Sequence, residues 1–302
     1  MFPTGRAVDT RLCWIDTHAH LDDAIFAPGA SHSGARELAR ARGVALCVLP
    51  AVHRGNWPAV AALAHATGDA YALGIHPLWV PQATDADLQA LDELLHQRRS
   101  DPHLVAVGEI GLDFFVPALC TPTMRLRQQQ VFRAQLKLAK AHGLPVLLHV
   151  RKSADVIVKH LREVWGVTSG QALPVGQAGI AHAFNGSIEQ AHALLRLGFC
   201  LGAGGAMTFE SARQLRHLAA TLPASAWVME TDSPDIPPQW LYATAAQRAS
   251  GQHQGANTPA ELPRIGAEMA ALRGVAASAW ARQTTANALT AVPGLQTIIL
   301  NK

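Results

Sequence analysis

Cysteine is scarce in this chain. Only four of its 302 residues are cysteine, and no two of them form a Cys-x-x-Cys pair. The sequence therefore predicts no disulfide framework, which suits a reducing compartment. Cys13, Cys47 and Cys200 lie in apolar, strand-like segments, and we expect them to be small core residues.

Signals for export and for membrane insertion are also lacking. Residues 1–11 contain no apolar segment of the kind found in a secretory signal peptide. No apolar run approaches the length needed to cross a bilayer. We therefore expect a cytoplasmic protein with no membrane association.

Charge and glycine patterns leave fewer functional classes to consider. The net charge of +3 is small for this length. It neither indicates nor excludes a nucleic acid partner, because such binding depends on local basic patches. No Gly-x-Gly-x-x-Gly follows the first predicted strand, which argues against a dinucleotide-binding fold.

Short apolar segments rich in β-branched residues alternate with segments of helical periodicity. The predicted strands are 12–17, 43–50, 70–75, 104–109, 144–149, 178–183, 198–203 and 226–231. The predicted helices are 34–42, 56–67, 84–98, 124–142, 153–164, 187–196, 210–220, 259–271 and 276–288. This alternation predicts an α/β fold, a single (β/α)₈ TIM-type barrel formed by residues 1–302, with long loops at 166–177 and 235–257.

Two histidines end the first predicted strand. Side chains two positions apart on an extended backbone point the same way, so His18 and His20 present two imidazoles from one strand end. The pair could bind one cation, or it could be two polar residues that cap a strand. The choice depends on what the other strands bring to the same place.

Most of the other predicted strands also end in polar residues that can bind a metal or a substrate. These residues are His76, Glu109, Asp113, His149, Arg151, His182, Asn185, Glu230 and Asp232. In a (β/α)₈ barrel the carboxyl ends of the strands form one rim, where active sites lie. Imidazoles and carboxylates collected there need a positive partner. Their ligand types favour Zn²⁺ or Mn²⁺ over Mg²⁺ bound by oxygen alone.

Six motifs in order along the chain resemble the signature series of the TatD family of metal-dependent hydrolases, within the amidohydrolase-like superfamily. They are Asp16-Thr17-His18-Ala19-His20-Leu21-Asp22, Gly74-Ile75-His76-Pro77, Gly108-Glu109-Ile110-Gly111-Leu112-Asp113, Leu148-His149-Val150-Arg151, His182-Ala183-Phe184-Asn185-Gly186-Ser187 and Glu230-Thr231-Asp232-Ser233-Pro234. The resemblance covers nearly the whole chain.

The resemblance implies two divalent metal ions (Zn²⁺, Mn²⁺ or Mg²⁺) at the rim. His18, His20 and Asp232 would hold one ion, His149 and His182 the other, and Glu109 would bridge them. Glu109 and Asp232 would be catalytic, with Asp232 accepting a proton from the attacking water.

The resemblance also implies an ester-bond hydrolase. It favours an exonuclease-type deoxyribonuclease acting on DNA over a carboxylic-ester hydrolase such as a D-aminoacyl-tRNA deacylase. A non-catalytic, metal-bearing scaffold is the third possibility, and the complete ligand set argues against it. The loops 113–123 and 235–257 match no one subgroup and leave the substrate open. We expect a monomer.

Three further rim residues are candidates for substrate binding. His76 could be a general acid, a substrate contact or a structural residue. Arg151 could pair with a phosphate or carboxylate of the substrate, or form a salt bridge to Glu230 or Asp113. Asn185 could bind substrate or cap the helix that begins near Ser187.

Two carboxylates and two aromatic residues near the rim have open roles. Asp16 and Asp22 flank the histidine pair, and either could orient an imidazole; Asp16 could instead satisfy backbone groups. Trp240 and Tyr242 lie in the last long loop. They could stack on bases or tether that loop.

Overall fold

The computed structural model describes residues 14–31, 33–251 and 253–300. Its eight strands are β1 (Trp14–Asp16), β2 (Val44–Pro50), β3 (Ala70–Leu73), β4 (Leu104–Asp113), β5 (Val146–Arg151), β6 (Gly179–His182), β7 (Phe199–Ala203) and β8 (Trp227–Met229). They pair in parallel in the order of the sequence. All eight predicted strands are present. Residues 1–11, Leu12 and Cys13, about which the sequence made predictions, lie outside the described residues.

The first and last strands meet through their carboxyl ends. The backbone N–H of Thr17 donates to the Met229 carbonyl at 3.1 Å, and the N–H of Asp232 donates to the His18 carbonyl at 2.9 Å. The buried Asp16 carboxylate accepts hydrogen bonds from the hydroxyl and backbone N–H of Thr231, at 2.6 and 3.0 Å. Asp16 therefore satisfies backbone and hydroxyl groups at this closure, and the eight strands form a nearly closed TIM-type barrel, as the sequence predicted.

Helices follow the strands, and most of them cover the outside of the barrel. They are α1 (Ala35–Ala41), α2 (Trp57–Thr67), α3 (Asp85–Gln97), α4 (Pro122–His142), α5 (Ala154–Trp165), α6 (Ile188–Arg196), α7 (Arg213–Thr221), α8 (Ala245–Ala249), α9 (Leu262–Leu272), α10 (Ala277–Ala291) and α11 (Gly294–Leu300). The sequence predicted all of these except α8, which lies in the long loop 235–257, and α11. In the described part of the chain, no helix combines the length and apolarity that a membrane span requires.

The alternation of side chains along most strands separates two apolar clusters. In β2, Leu46 and Val48 belong to the barrel interior, whereas Cys47 and Leu49 pack with the surrounding helices. Cys47 and Cys200 are buried, as expected for core residues. Because both faces of the sheet are covered, the strands can be almost wholly apolar up to their carboxyl ends.

The unpredicted helix α11 has a packing role. Its buried residues Leu295 and Ile298 belong to the interior cluster, with Val105 of β4 and Val292. A Cβ on Gly294, where α11 begins, would lie 3.0 Å from Val105 Cγ1. Helix α11 thus contributes to the apolar core inside the barrel, while the polar residues lie at the carboxyl ends of the strands.

A buried ion pair connects α1 to the sheet. Arg36 donates from Nε and Nη2 to the two oxygens of Asp69, at 2.6 and 2.7 Å, and also reaches the Val44 and Ala45 carbonyls. Asp69 in turn accepts the backbone N–H of Cys47 at 3.0 Å. All the hydrogen bonds of this pair are made inside the protein, so the loss of one partner would leave the other charge buried and unpaired.

We expect Asp69→Ala to lower the free energy of unfolding by about 3–5 kcal/mol, because it leaves the charge of the Arg36 guanidinium buried and unpaired. Urea unfolding followed by circular dichroism measures this change. The matched control is Asp85→Ala, which removes a carboxylate that is 88% exposed and paired with Arg127, and which should cost less than about 1 kcal/mol. Equal losses for the two variants would contradict the role given to the buried pair.

Candidate metal centre

The carboxyl ends of the strands surround an open cavity of about 850 Å³. The predicted site residues that line it are His20, His76, Glu109, His149, Arg151, His182, Asn185 and Asp232. His18 is fully buried directly beneath and contacts both His20 and Glu109. The structure therefore brings together every residue that the sequence predicted for the site.

Backbone strain is concentrated at this cavity. Among the described residues, the non-glycine positions with positive φ are Lys152, Ala183, Asp232 and Ile236, with φ between 43° and 54°. All four line the cavity. Left-handed backbone at such residues costs free energy and tends to persist at functional sites, where the surrounding structure fixes it.

One group of potential ligands gathers around His18. Its Nε2 lies 3.3 Å from His20 Nε2, 3.1 Å from Glu109 Oε2 and 3.6 Å from Asp232 Oδ1. His20 Nε2 lies 3.6 Å from each of the same two carboxylate oxygens. Two imidazole nitrogens and two carboxylate oxygens thus face one point, and His18, His20 and Glu109 could together hold a metal ion.

A second group uses the other oxygen of Glu109. Glu109 Oε1 lies 3.0 Å from His149 Nδ1, 3.3 Å from His76 Nε2 and 3.8 Å from His182 Nε2. His76, Glu109 and His149 form a further set that could hold a metal ion. The two oxygens of one buried carboxylate therefore face two different sets of imidazoles.

Neighbouring groups fix the orientation of two of these rings. His149 Nε2 lies 3.1 Å from Asp113 Oδ2, so its Nδ1 faces Glu109. His76 Nδ1 accepts the backbone N–H of Leu78 at 3.1 Å. When His76 is neutral its proton is therefore on Nε2, which makes His76 a hydrogen-bond donor toward Glu109 and His149.

Glu230 is a site residue whose role the sequence did not reveal. It is buried, its Oε1 accepts the Ala183 backbone N–H at 2.5 Å, and the same oxygen lies 3.2 Å from His182 Nδ1. A Cβ on Gly202 would lie 2.2 Å from Glu230 Oε2, so this carboxylate requires a glycine on the adjacent strand. The sequence signal was the Glu230-Thr231-Asp232 motif itself, but the partner that the sequence offered for Glu230 was Arg151 and not His182.

Opposing charges shift the pKa values of these groups strongly. Burial lowers the pKa of His182, but Asp232, Glu230 and Glu109 outweigh it and raise that pKa to about 10. Burial raises the pKa of Glu109, yet the histidines around it hold the value well below its usual range. Burial raises the pKa of Asp232 to about 6. The carboxylates thus draw positive charge into the site.

This donor set fits divalent metal ions. Imidazole nitrogens with carboxylate oxygens are the ligands that Zn²⁺ and Mn²⁺ accept. The Oε2 atom of Glu230 is buried and has no hydrogen-bond partner within the described residues, and Glu230 joins His18 and His182 in a third set that could hold a cation. A bound cation would supply the positive charge that neutralises these buried carboxylates. Without a cation, that positive charge comes from protons bound to the imidazoles.

The predicted substrate contacts lie at the edge of the cavity. Arg151 is half-exposed, and its Nη1 lies 3.7 Å from Asp113 Oδ2; Glu230 contacts His182 instead. Ser187 caps α6 by accepting the Gln190 N–H, so Asn185 is not the cap of that helix. Asn185 lines the cavity.

Two other open roles are decided by contacts. Asp22 accepts a hydrogen bond from the side-chain amide of Asn56 at 2.9 Å and, within the described residues, none from an imidazole. Trp240 donates to Glu261 at 2.8 Å and lies under the guanidinium of Arg264, so it tethers the long loop.

Known proteins share this sequence and architecture. A family model described as TatD related DNase matches residues 15–292. The chain is 38% identical over 225 residues to the metal-dependent hydrolase YjjV of Escherichia coli K12, a match that covers 74% of this chain and 80% of that protein. It is 32% identical over 231 residues to the 3'-5' ssDNA/RNA exonuclease TatD of Klebsiella pneumoniae, covering 75% of this chain and 78% of that protein.

The fold has a counterpart among solved structures. The crystal structure of YjjV, a TatD homologue from Escherichia coli, matches with a TM-score of 0.79 and 32% identity, covering 94% of this chain and 99% of that one. A family model spanning nearly the whole chain and a relative of this similarity agree with the motifs and the barrel. The chain therefore belongs to the TatD family of metal-dependent hydrolases.

Proposed function

We propose that this protein hydrolyses phosphodiester bonds of DNA from a strand end, as a deoxyribonuclease with two divalent metal ions. The observation that carries the proposal is the position of Glu109. One of its oxygens faces His18 and His20, and the other faces His149 and His182. A carboxylate placed between two imidazole sets is the arrangement that a bridging ligand needs.

In this proposal His18, His20 and Asp232 would hold one metal ion, His149 and His182 would hold the other, and Glu109 would contribute to both. When bound, the ions would supply positive charge that acidifies water and stabilises the negative charge developing on phosphate oxygens. Zn²⁺ and Mn²⁺ suit the nitrogen donors best, and Mg²⁺ is the third candidate.

The protein residues supply the proton transfer and the positioning. Glu109 and Asp232 both line the cavity, but Asp232 is the more accessible of the two, because its side chain is 13% exposed whereas that of Glu109 is 3% exposed. A water molecule in the cavity can therefore meet Asp232, which accepts its proton. His76 presents an N–H toward Glu109 and His149, and Arg151 and Asn185 line the cavity, where a substrate phosphate would lie.

The named relatives support a nucleic acid substrate, because one of them is a 3'-5' ssDNA/RNA exonuclease. A second candidate function is hydrolysis of a carboxylic ester, such as that of a D-aminoacyl-tRNA. Asp22, Asp23 and Asp235 line the cavity, and these carboxylates could attract the amino group of an aminoacyl ester. We further infer that residues 1–302 act as one domain, as a monomer and in the cytoplasm.

Glu230 is proposed to position His182, because it contacts Nδ1 while Nε2 faces Glu109 and Asp232. We expect Glu230→Gln to weaken metal binding by about 10- to 100-fold, because loss of its charge leaves the ring less firmly held. Isothermal titration of metal-free protein measures this affinity. Glu189→Gln, at the exposed start of α6, is the matched control, and unchanged affinity in Glu230→Gln would contradict the positioning role.

The proposed function is tested by nucleotide release from end-labelled single-stranded DNA. The protein is stripped of metal and reloaded with Mg²⁺, Mn²⁺ or Zn²⁺, and Asp232→Asn is assayed in parallel as a control for contaminating nucleases. Metal-dependent release that disappears in the variant is the expected result. No release with any metal, together with hydrolysis of misacylated tRNA, would replace the proposal by the ester alternative.

A further inference from the structure

The cavity has an aromatic residue on its wall with two cations against its ring. Phe115 is 48% exposed and lines the cavity. The guanidinium carbon of Arg151 lies 4.1 Å from the centroid of the Phe115 ring, and Lys152 Nζ lies 4.8 Å from it. Arg151 and Lys152 also line the cavity. We call Phe115, Arg151 and Lys152 the aromatic-cation platform.

The platform is held in place by the carboxylate that contacts His149. Asp113 Oδ1 accepts the backbone N–H groups of Phe115 and Val116, at 2.8 and 2.9 Å, and Oδ2 lies 3.1 Å from His149 Nε2. Asp113 itself is fully buried. Its bonds fix the turn that carries Phe115 relative to the imidazole of His149, so a group bound on the platform has a defined position relative to the proposed metal centre.

Two further observations separate this platform from an incidental exposed aromatic. Lys152 has a φ of 54°, so left-handed backbone is maintained at the residue that places the second cation beside the ring. Two other exposed large apolar side chains line the cavity, Leu78 and Trp79. Trp79 packs on His53, with ring centroids 3.9 Å apart, and within the described residues no cation lies over its ring.

We propose that the aromatic-cation platform binds a nucleotide unit of single-stranded DNA, with the base stacked on Phe115 and the backbone phosphates paired with Arg151 and Lys152. This inference rests on the proposed function and adds how the substrate strand is recognised. Stacking needs an uncovered base face, which an unpaired strand offers, and the cations match the phosphates beside it. The platform thus selects single-stranded ends over paired ones.

Equilibrium binding of the metal-loaded protein tests the platform without requiring hydrolysis. The probes are a fluorescent oligothymidylate with phosphorothioate linkages, which resist cleavage, and a matching strand of abasic units. Wild-type protein should bind the base-containing strand about tenfold more tightly, because one stacked base contributes that much. In Phe115→Ala the ratio of the two dissociation constants should fall toward one. Phe115→Trp, which keeps an aromatic face, should retain the preference.

The matched control is Tyr242→Ala. Tyr242 is 43% exposed and lies 5.8 Å from the guanidinium of Arg248, but it does not line the cavity. This variant should keep the wild-type preference. The side chain of Phe115 takes no part in the backbone bonds to Asp113, so Phe115→Ala should keep the wild-type melting temperature.

The cations are tested by salt dependence. In Arg151→Gln/Lys152→Gln, the slope of log Kd against log salt concentration should fall by about 1.4, or about 0.7 for each phosphate of a single strand that the protein no longer neutralises. A wild-type protein with no preference for bases, or a preference that persists in Phe115→Ala, would overturn the platform. A preference that depends on Phe115 in a protein with no nuclease activity would sustain the platform and refute the proposed hydrolysis instead.

Discussion

Glu109→Ala is expected to remove metal binding and hydrolysis together. Its two oxygens lie 3.1 Å from His18 Nε2 and 3.0 Å from His149 Nδ1, so both proposed metal sites lose a ligand in one substitution. Metal content should fall from about two ions per chain to fewer than about one. Turnover of single-stranded DNA should fall at least about a thousandfold, because the reacting phosphate no longer receives charge stabilisation from the ions.

Inductively coupled plasma mass spectrometry after dialysis measures the metal content of the Glu109 variant, and release of labelled nucleotides measures its turnover. Glu163→Ala removes a half-exposed carboxylate that pairs with Arg133 on the helical surface, and it should change neither quantity. A Glu109→Ala protein that keeps full metal content and full turnover would show that Glu109 does not bridge two metal ions.

Asp232→Asn should leave the protein folded and reduce hydrolysis by about a hundred- to ten-thousandfold. Asparagine preserves the shape of the side chain but cannot accept a proton from water. The fold is checked by circular dichroism and the rate by nucleotide release under saturating metal. Asp235→Asn alters another carboxylate that lines the cavity and should retain the wild-type rate; a wild-type rate in Asp232→Asn would exclude that residue as the base.

The architecture of the site could be predicted from the sequence because barrel topology sets it. The spacing of His18 and His20 places both imidazoles on one side of a strand end. The rule that parallel strands end at one rim then brings Glu109, His149 and Asp232 to the same place. These inferences need only strand positions, and the strands were recognisable because β-branched apolar segments recurred between helical ones.

The details that escaped the sequence depend on side-chain reach and on packing. Glu230 was a candidate partner for Arg151, but in the fold it contacts His182, since β6 and β8 flank the same strand β7. Phe115 lay in a loop with no assigned role, because nothing local shows that Arg151 will lie over its ring. The helix α11 was missed because its 7 residues are too short for a clear helical period, and the packing of Leu295 and Ile298 into the barrel interior stabilises it.

The same limits explain the differences at element ends. Strand β4 was predicted to end at Glu109, but it continues to Asp113. Residues 110–113 pair with residues 148–151 of the neighbouring strand β5. That pairing is a long-range interaction which the polar residues at the end of a strand do not reveal. The longer strand carries Asp113 to His149 and so connects the proposed metal centre to the loop that contains Phe115.

The most direct measurement is a titration of metal-free protein with Mn²⁺ or Zn²⁺, in which bound metal and nucleotide release from single-stranded DNA are determined in the same samples. We expect about two ions bound per chain, with release appearing as the sites fill. A protein that binds neither metal tightly would contradict a two-metal hydrolytic centre at the carboxyl ends of the barrel strands. Full nucleotide release by the metal-free protein would contradict it as well.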